Sequence, residues 1–177
     1  MKSHKTKYLI LLLVIAALVI LFIFSRYYTS NPVEIKKEVI LYFSDDRAMY
    51  LNPERRTITT TSEKTTLYKD TLQELIKGPK TQELKKTIPE GVKVLNLNIK
   101  DDILIINFNK ALKENHWGGS TGELMTVYSI VSTLTEFKNI EKVKFLIDGK
   151  EIESLAGHLD LSEPLDKDKN IIKNKEH

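Results

Sequence analysis

The sequence predicts an α+β fold: a two-layer sandwich whose mostly antiparallel sheet carries two helices on one face, preceded by one N-terminal transmembrane helix. Three observations support it. One uncharged run stands near the N-terminus, several short stretches after it have the apolar alternation of β-strands, and two longer stretches repeat apolar residues with helical spacing. The predicted order β-(ββ)-α-β-β-α-β-β is typical of antiparallel sheets with helices on one side.

The N-terminal segment has the features of a membrane anchor. Residues 8–24, YLILLLVIAALVILFIF, contain no charge, amide, Gly or Pro, and as a helix they span roughly 26 Å. Lys2, Lys5 and Lys7 precede the run, so the positive-inside rule predicts a cytoplasmic N-terminus and an exported remainder. A cleavable signal peptide is the alternative, although residues 24–30 lack a small-x-small cleavage motif. We expect an uncleaved anchor, with the lipid bilayer as its partner.

The charge balance and the absence of cysteine exclude several classes of function. The chain has 27 basic and 24 acidic residues, and the lysines before the apolar run account for the whole excess. The exported part is therefore formally neutral and lacks the electrostatic footprint of a nucleic-acid-binding domain. Without cysteine the chain has no disulfide, no thiolate metal site, no cysteine nucleophile and no lipid-modified cysteine.

The chain divides into five predicted segments. A breaker at Asn31-Pro32 marks a linker, and the charged sequence after Pro164 marks a tail that does not pack. The segments are a cytoplasmic tail at 1–7, a transmembrane anchor at 8–24, a linker at 25–37, a folded domain at 38–165 and a disordered tail at 166–177.

The first half of the domain is predicted to begin with strands. Residues 38–44, EVILYFS, form a β-type run that ends at a turn, Asp45-Asp46. Two further short strands, 48–51 and 56–61, flank a second turn at Asn52-Pro53-Glu54.

Two helices are predicted from apolar residues at helical spacing. The first begins near Lys64 and ends at Gly78-Pro79. The second begins at Ser120, because Ser120-Thr121-Gly122-Glu123 has the pattern of a capping box. In that motif the hydroxyl of Ser120 caps the helix and the carboxylate of Glu123 reaches back to it.

Two hairpins are predicted in the second half. They are 92–109 with its turn at Asp101-Asp102, and 142–154 with its turn at Asp148-Gly149. Within 92–100 the apolar alternation slips by one residue, which indicates either a β-bulge or a strand buried on both faces.

No motif assembles a catalytic, metal or cofactor site. His158 and Asp160 supply two ligands where a metal needs three or four, and with Ser154 they would form a triad only within one loop. The pair Asp45-Asp46 suits acid–base chemistry or a cation, but it stands where a turn is expected. The glycine-rich stretch 118–122 lacks the lysine of a phosphate-binding loop. We predict no catalytic residue, no metal and no cofactor.

Aromatic residues are the remaining candidates for a contact surface. Trp117 is the single tryptophan, and it is either an exposed contact or a buried anchor for its loop. Tyr42, Tyr50 and Tyr68 are the other aromatic candidates for stacking against a sugar. We single out Trp117 and Tyr50 as surface contacts, and we expect Arg55-Arg56 to lie on a solvated face.

Four segments resemble the GerMN domain, a sporulation and spore-germination module of endospore-forming bacteria. They are LYFSDDRAMYLNPERRTI, LQELIKGP, IPEGVKVLNLNIKDDILIINFNKAL and GGSTGELMTVYSIVSTLTEFKNIEKVKFLIDGKEIESLAGHLDLSEPL. The resemblance runs from about Val39 to Leu165, and its most specific parts are 133–137 and 145–149.

The resemblance implies a non-enzymatic domain outside the cytoplasmic membrane, similar to the ring-building motifs of secretion systems. Members are often lipoproteins and the namesake carries two domains, whereas this chain has one copy and a membrane helix. The resemblance transfers no functional residue.

Two hypotheses follow for the function. In the first, the chain is a membrane-tethered assembly module that contacts envelope or sporulation-complex proteins and associates weakly with itself. Its candidate surfaces are the sheet edge at Val39–Phe43 and the exposed sides of the helices. In the second, it is a wall-associated module that contacts peptidoglycan or assists a wall hydrolase. Both place it at the cell membrane, without a nucleic-acid partner.

Overall fold

The computed structural model describes residues 2–30 and 33–173, and the chain separates into two compact units, 1–34 and 35–177. Helix α1 is Lys2–Ser30. Its stretch Lys7–Arg26 has a mean hydropathy of 3.1, and its length of about 30 Å is sufficient to cross a bilayer.

The structure differs from the predicted linker at 25–37. Helix α1 continues to Ser30, and the first strand begins at Glu34. The reason is that no helix breaker precedes Pro32 in the sequence, so the backbone hydrogen bonds continue past the apolar run. Asn31 and Pro32 lie outside the described residues.

After α1, the described residues 33–173 form two sheets, three α-helices and one short 3-10 helix, Lys169–Ile171. A two-stranded sheet contains β1 (Glu34–Ser44) and β2 (Leu51–Thr61). A four-stranded sheet contains, in spatial order, β3 (Val94–Lys100), β4 (Ile103–Phe108), β5 (Lys142–Ile147) and β6 (Lys150–Glu151). The helices are α2 (Lys64–Lys77), α3 (Ala111–Glu114) and α4 (Ser120–Leu134).

This arrangement confirms the predicted α+β class. The pairs β3–β4 and β5–β6 are antiparallel, whereas β4 and β5 are parallel. A parallel pair needs a crossover connection, which the segment containing α3 and α4 provides. The predicted single sheet is divided into two.

One apolar core joins both helices to the sheets. One face of β4 and β5 in the four-stranded sheet is buried, and α2 and α4 contribute apolar residues that cover it. The principal members are Leu72, Leu75, Val127, Val131, Leu104, Ile106, Phe108, Val143 and Phe145. Burial of this face fixes the register, because a slip of one residue would turn every apolar side chain to the other side.

The slip in the apolar alternation is a β-bulge. The pairing of β3 with β4 shifts between Val94 and Asn96, so Leu95 has no partner in the register. Leu95 is 49% exposed, which rules out a strand buried on both faces at this point.

Strand β2 corrects the prediction of two short strands around a turn. It runs without a break from Leu51 to Thr61 and includes Pro53. Proline is tolerated on an edge strand, where its missing N–H costs no ladder hydrogen bond. The real turn is the short connection between Ser44 and Leu51.

The predicted disordered tail is ordered through residue 173. We call residues 165–173 the C-terminal strap. Leu165 exchanges backbone hydrogen bonds with Val143 at 2.8 and 2.9 Å, and the N–H of Lys173 donates to the carbonyl of Leu51 at 2.9 Å. Residues 174–177 lie outside the described residues.

Apolar and charged contacts together hold the strap. Ile171 and Ile172 pack against a small cluster of Tyr42, Leu51 and Met125. The ammonium of Lys167 pairs with the carboxylate of Glu136 and lies 4.7 Å from the ring centroid of Tyr42. Disorder is predicted for the tail because most of its residues are charged, but Ile171 and Ile172 make it pack.

Candidate interaction surfaces

The four aromatic candidates divide into two exposed and two buried residues. Trp117 is 56% exposed and Tyr50 is 40% exposed. Tyr42 and Tyr68 belong to the core, where their hydroxyls bond to Glu136 at 2.7 Å and to Asn139 at 3.0 Å. Burial, and then the hydrogen bond to Glu136, raise the pKa of Tyr42 above its ordinary value. Of these four residues, Trp117 and Tyr50 have exposed aromatic rings.

Tyr50 belongs to a concave surface that we call the turn cleft. It encloses about 660 Å³ beside the connection between β1 and β2. Its lining residues are Asp45, Asp46, Arg47, Met49, Tyr50, Asn52, Glu83, Leu84, Lys85 and Lys173.

The connection that presents Met49 and Tyr50 is fixed by Asp45. The carboxylate of Asp45 accepts the N–H of Met49 at 2.8 Å. The backbone N–H of Asp45 donates to the carbonyl of Tyr50 at 3.0 Å. Between them, Ala48 has a φ of 54°, a left-handed conformation that alanine rarely adopts. The turn therefore holds two large side chains outward on a constrained backbone.

The cleft carries charges of both signs. Asp45, Asp46 and Glu83 contribute carboxylates, while Arg47, Lys85 and Lys173 contribute cations. The N–H of Lys85 also donates to the carbonyl of Ser44 at 2.8 Å, so this side of the cleft is joined to β1. A surface with mixed charge and two exposed large side chains is suited to a complementary protein surface.

A buried ion network fixes β2 against α2. Arg56 is only 5% exposed and pairs with Glu54 and Glu74, the latter at 3.0 Å. Glu54 also accepts the N–H groups of Lys80 and Thr81, each at 2.9 Å. The expectation that Arg56 is solvated is wrong, whereas Arg55 is exposed and pairs with Glu38 at 2.8 Å. Alternation along β2 turns one arginine inward and its neighbour outward.

The network keeps its glutamates ionised. Burial alone would raise the pKa of Glu54, but hydrogen bonds from Thr81 and Arg56 hold it below its ordinary value. The pKa of Glu74 is also lowered, because hydrogen bonds from Lys77 and Arg56 outweigh its burial.

Trp117 forms a second surface at the start of α4, which we call the indole platform. Its ring stacks on the imidazole of His116, with centroids 5.6 Å apart and planes inclined by 19°. A Cβ at Gly122 would lie 3.1 Å from both Cδ1 and Nε1 of the indole, so the ring rests on the backbone of the first helical turn. Trp117 is therefore exposed rather than buried, and its ring is still held in place by the helix backbone.

The predicted capping box at Ser120 is wrong. Gly119 is the N-cap residue with a φ of 78°, and its cap has no side-chain hydrogen bond. Glu123 is fully buried and turns away, accepting the N–H groups of Leu155 at 2.7 Å, Ala156 at 3.0 Å and His158 at 2.8 Å. Burial raises the pKa of Glu123, but these backbone donors lower it below the ordinary value overall. The carboxylate anchors the loop 155–158 to α4.

The residues considered for chemistry are engaged in local turns. Asp160 accepts the N–H and hydroxyl of Ser162 at 2.9 and 2.6 Å, and the hydroxyl of Ser154 accepts the N–H of Gly157 at 2.9 Å. Neither contact joins His158 to a nucleophile. Across residues 2–30 and 33–173, no group of three His, Asp or Glu side chains has the arrangement of a metal site.

The sheet edge predicted at Val39–Phe43 is not free. The N–H of Tyr42 donates to the hydroxyl of Thr133 at 3.1 Å, so α4 covers the strand there. Sequence reasoning missed Glu83, Lys85 and Lys173 as neighbours of Tyr50, because they come from separate parts of the chain and share no motif.

Comparison with known proteins agrees with the fold. A family model for Germane, described as sporulation and spore germination, matches residues 40–153. No curated protein matches the chain significantly. A candidate lipoprotein from Clostridium perfringens is 30% identical with a TM-score of 0.53, and the match covers 77% of this chain and 91% of that one.

Two solved structures of the sporulation protein GerM from Bacillus subtilis are also similar. Its first GerMN domain is 25% identical with a TM-score of 0.58, and the match covers 73% of this chain and 97% of that one. Its tandem GerMN domains are 25% identical with a TM-score of 0.60, over 75% of this chain and 46% of that one. The chain thus spans about half the length of the tandem pair.

The family match includes most of β1, all of β2, α2 and α4, and the four-stranded sheet. It confirms the resemblance found in the sequence. The chain therefore belongs to the Germane family of sporulation and spore germination, as a GerM-like domain that follows an apolar N-terminal helix.

Proposed function

We propose that this chain is a non-enzymatic, membrane-tethered assembly module that binds envelope or sporulation-complex proteins through the turn cleft. The observation that carries the proposal is the exposure of Met49 and Tyr50 on a constrained turn, among charges of both signs. Such a surface offers apolar contact area, and its charges select among partners.

The chemistry of the candidate groups supports a binding role. Asp45 is committed to the N–H of Met49, and Asp160 to Ser162. A general base must reach the proton that it abstracts, and a nucleophile must lie within hydrogen-bond distance of its base. The hydrogen bonds of these groups instead maintain turns.

Helix α1 supplies the tether in this proposal. Lys2, Lys5 and Lys7 precede the apolar stretch, which favours a cytoplasmic N-terminus and an exported domain. Tethering concentrates copies in a plane, so a weak contact between formally neutral domains becomes sufficient for association. Protease added to intact protoplasts should remove the domain and spare the first residues; full protection would contradict this orientation.

A photo-crosslinking amino acid placed at Tyr50 tests the cleft. The matched control places the same amino acid at Lys138, an exposed residue just after α4. We expect Tyr50 to capture an envelope protein in sporulating cells, with little capture from Lys138. Equal capture from both positions, or none from Tyr50 in sporulating and vegetative cells, would contradict the proposal.

The exposure of Trp117 favours a second candidate function, contact with the cell wall. It concerns a different surface and is developed below.

A further inference from the structure

Trp117 is the feature that the assembly proposal leaves without a role. More than half of its surface is exposed, although tryptophan is highly buried on average in folded proteins. The contacts with His116 and with the backbone of Gly122 restrict the ring, so it does not have to be ordered when a ligand arrives.

A hydrogen-bond chain holds the imidazole on which the indole stacks. The N–H of Gly118 donates to Nδ1 of His116 at 3.0 Å, so Nε2 carries the proton in the neutral ring. Nε2 lies 3.2 Å from the hydroxyl of Thr126, which donates onward to the carbonyl of Thr87 at 2.7 Å. Each donor in this chain has an acceptor, and burial lowers the pKa of His116, so the neutral form is maintained.

Along the chain, Trp117 lies between the charged residues Lys113 and Glu114 and the small polar residues Ser120 and Thr121. In the stretch 113–121, Trp117 is the only apolar side chain. A shallow cavity of about 190 Å³ lies at the same first turn of α4, and its lining residues are Ser120, Thr121, Leu124, His158 and Leu159. No carboxylate, lysine or arginine is among these described lining residues.

We propose that the indole platform binds a neutral glycan, with the apolar face of one pyranose ring against Trp117 and sugar hydroxyls bonded to Ser120 and Thr121. A saturated sugar ring combines an apolar C–H face with a rim of hydroxyls, and the site offers a flat ring beside small polar groups. Only the source of the glycan, the cell wall, depends on the exported orientation proposed above.

The test uses the full chain in phospholipid nanodiscs, which contain no sugar headgroup. Because Trp117 is the only tryptophan, its emission reports this site alone. The probe is a tetramer of β-1,4-linked N-acetylglucosamine. We expect a saturable change in emission as the tetramer is added, and co-sedimentation of the chain with purified cell wall.

Gly122→Ala is the most informative variant. The added methyl group would displace the indole without removing it, and alanine favours the helix more than glycine does, so thermal stability should hold or rise. We expect its affinity for the tetramer to fall at least about tenfold, with a similar loss for Trp117→Ala measured by calorimetry. Tyr50→Ala, at the turn cleft, should bind the tetramer like the native chain.

Two results would overturn the glycan proposal: the absence of a saturable change in emission at millimolar tetramer, or native affinity in Gly122→Ala and Trp117→Ala. The experiment is independent of the crosslinking at Tyr50. A negative crosslink with a positive titration rejects the turn cleft alone, and the reverse combination rejects the indole platform alone.

Discussion

Two buried glutamates of the domain are held by different kinds of partner. Glu54 on β2 meets the guanidinium of Arg56 and two backbone N–H groups, in a network that includes Glu74. Glu123 on α4 meets only backbone N–H groups in the contacts that its carboxylate makes with loop 155–158.

The difference shows that a buried carboxylate needs donors rather than a specific countercharge. Backbone amides with fixed directions satisfy Glu123, whereas the Glu54 site must also satisfy a buried cation. Removing Arg56 therefore leaves buried charge behind, while neutralising Glu123 removes charge and leaves amides. The first change should cost more.

Arg56→Met tests the glutamate that is paired with a buried cation, and it should have the largest effect. It leaves Glu54 without its cation in a buried site, so we expect a loss of about 3–5 kcal/mol in the free energy of unfolding. Urea unfolding followed through Trp117 emission measures it. The control is Arg55→Met, whose exposed pair with Glu38 should cost less than about 1 kcal/mol. Equal costs for the two arginines would show that burial of Arg56 has no energetic consequence.

Glu123→Gln tests the glutamate whose carboxylate is held by backbone N–H groups. The amide offers one oxygen to several N–H donors and turns its own N–H₂ toward them, so we expect a loss of about 2–3 kcal/mol. The control Glu114→Gln, in an exposed pair with Lys110 at 3.1 Å, should cost about 0.5 kcal/mol or less. A loss for Glu123→Gln as small as that of the control would contradict an anchoring role.

The lowered pKa of Glu123 predicts that the stability of the fold depends on pH. The folded pKa of Glu123 is lowered, so its stabilisation is present above the unfolded pKa of about 4.3 and is lost as the pH falls through the folded value. Glu54 and Glu74 shift in the same direction. The native chain should lose stability below about pH 5, and Glu123→Gln should lose less over that range. Parallel acid profiles for the two proteins would contradict this assignment.

Lys167→Met tests whether a partly exposed ion pair contributes less to the free energy of unfolding than a buried one. Its contacts with Glu136 and Tyr42 are partly open to solvent, so we expect a loss of about 1 kcal/mol. Limited proteolysis should also cut within the C-terminal strap more readily than in a Lys169→Met control. Unchanged cleavage and stability would mean that Ile171 and Ile172 hold the strap without the charged contacts.

Ser120→Ala should have the smallest effect, and it tests whether Glu123 binds the loop 155–158 rather than the cap of its own helix. A capping serine would contribute about 1 kcal/mol. Because the cap has no side-chain hydrogen bond, we expect a change below about 0.5 kcal/mol in thermal unfolding. A loss of 1 kcal/mol or more would restore the capping box and weaken the assignment of Glu123 to the loop.

The sequence alone determined the features that depend on neighbours along the chain. The apolar run fixed α1, and helical spacing fixed α2 and α4. The two hairpins turn where Asp101-Asp102 and Asp148-Gly149 predicted, with positive φ at all four residues. The bulge at Leu95 was visible as a slip in the alternation. These signals are local because backbone geometry and side-chain period act over a few residues.

The tertiary structure decided which side chains are buried and what they meet. Pro53 lies within a strand because β2 has an open edge, and Arg56 is internal because α2 covers that face of the strand. Glu123 bonds to a loop more than thirty positions away instead of capping its own helix. Trp117 is exposed yet fixed by Gly122, and Lys173 reaches the turn cleft from the far end of the chain. Such contacts join distant segments, and the free energy that selects them comes from burial in the assembled core, which no local pattern records.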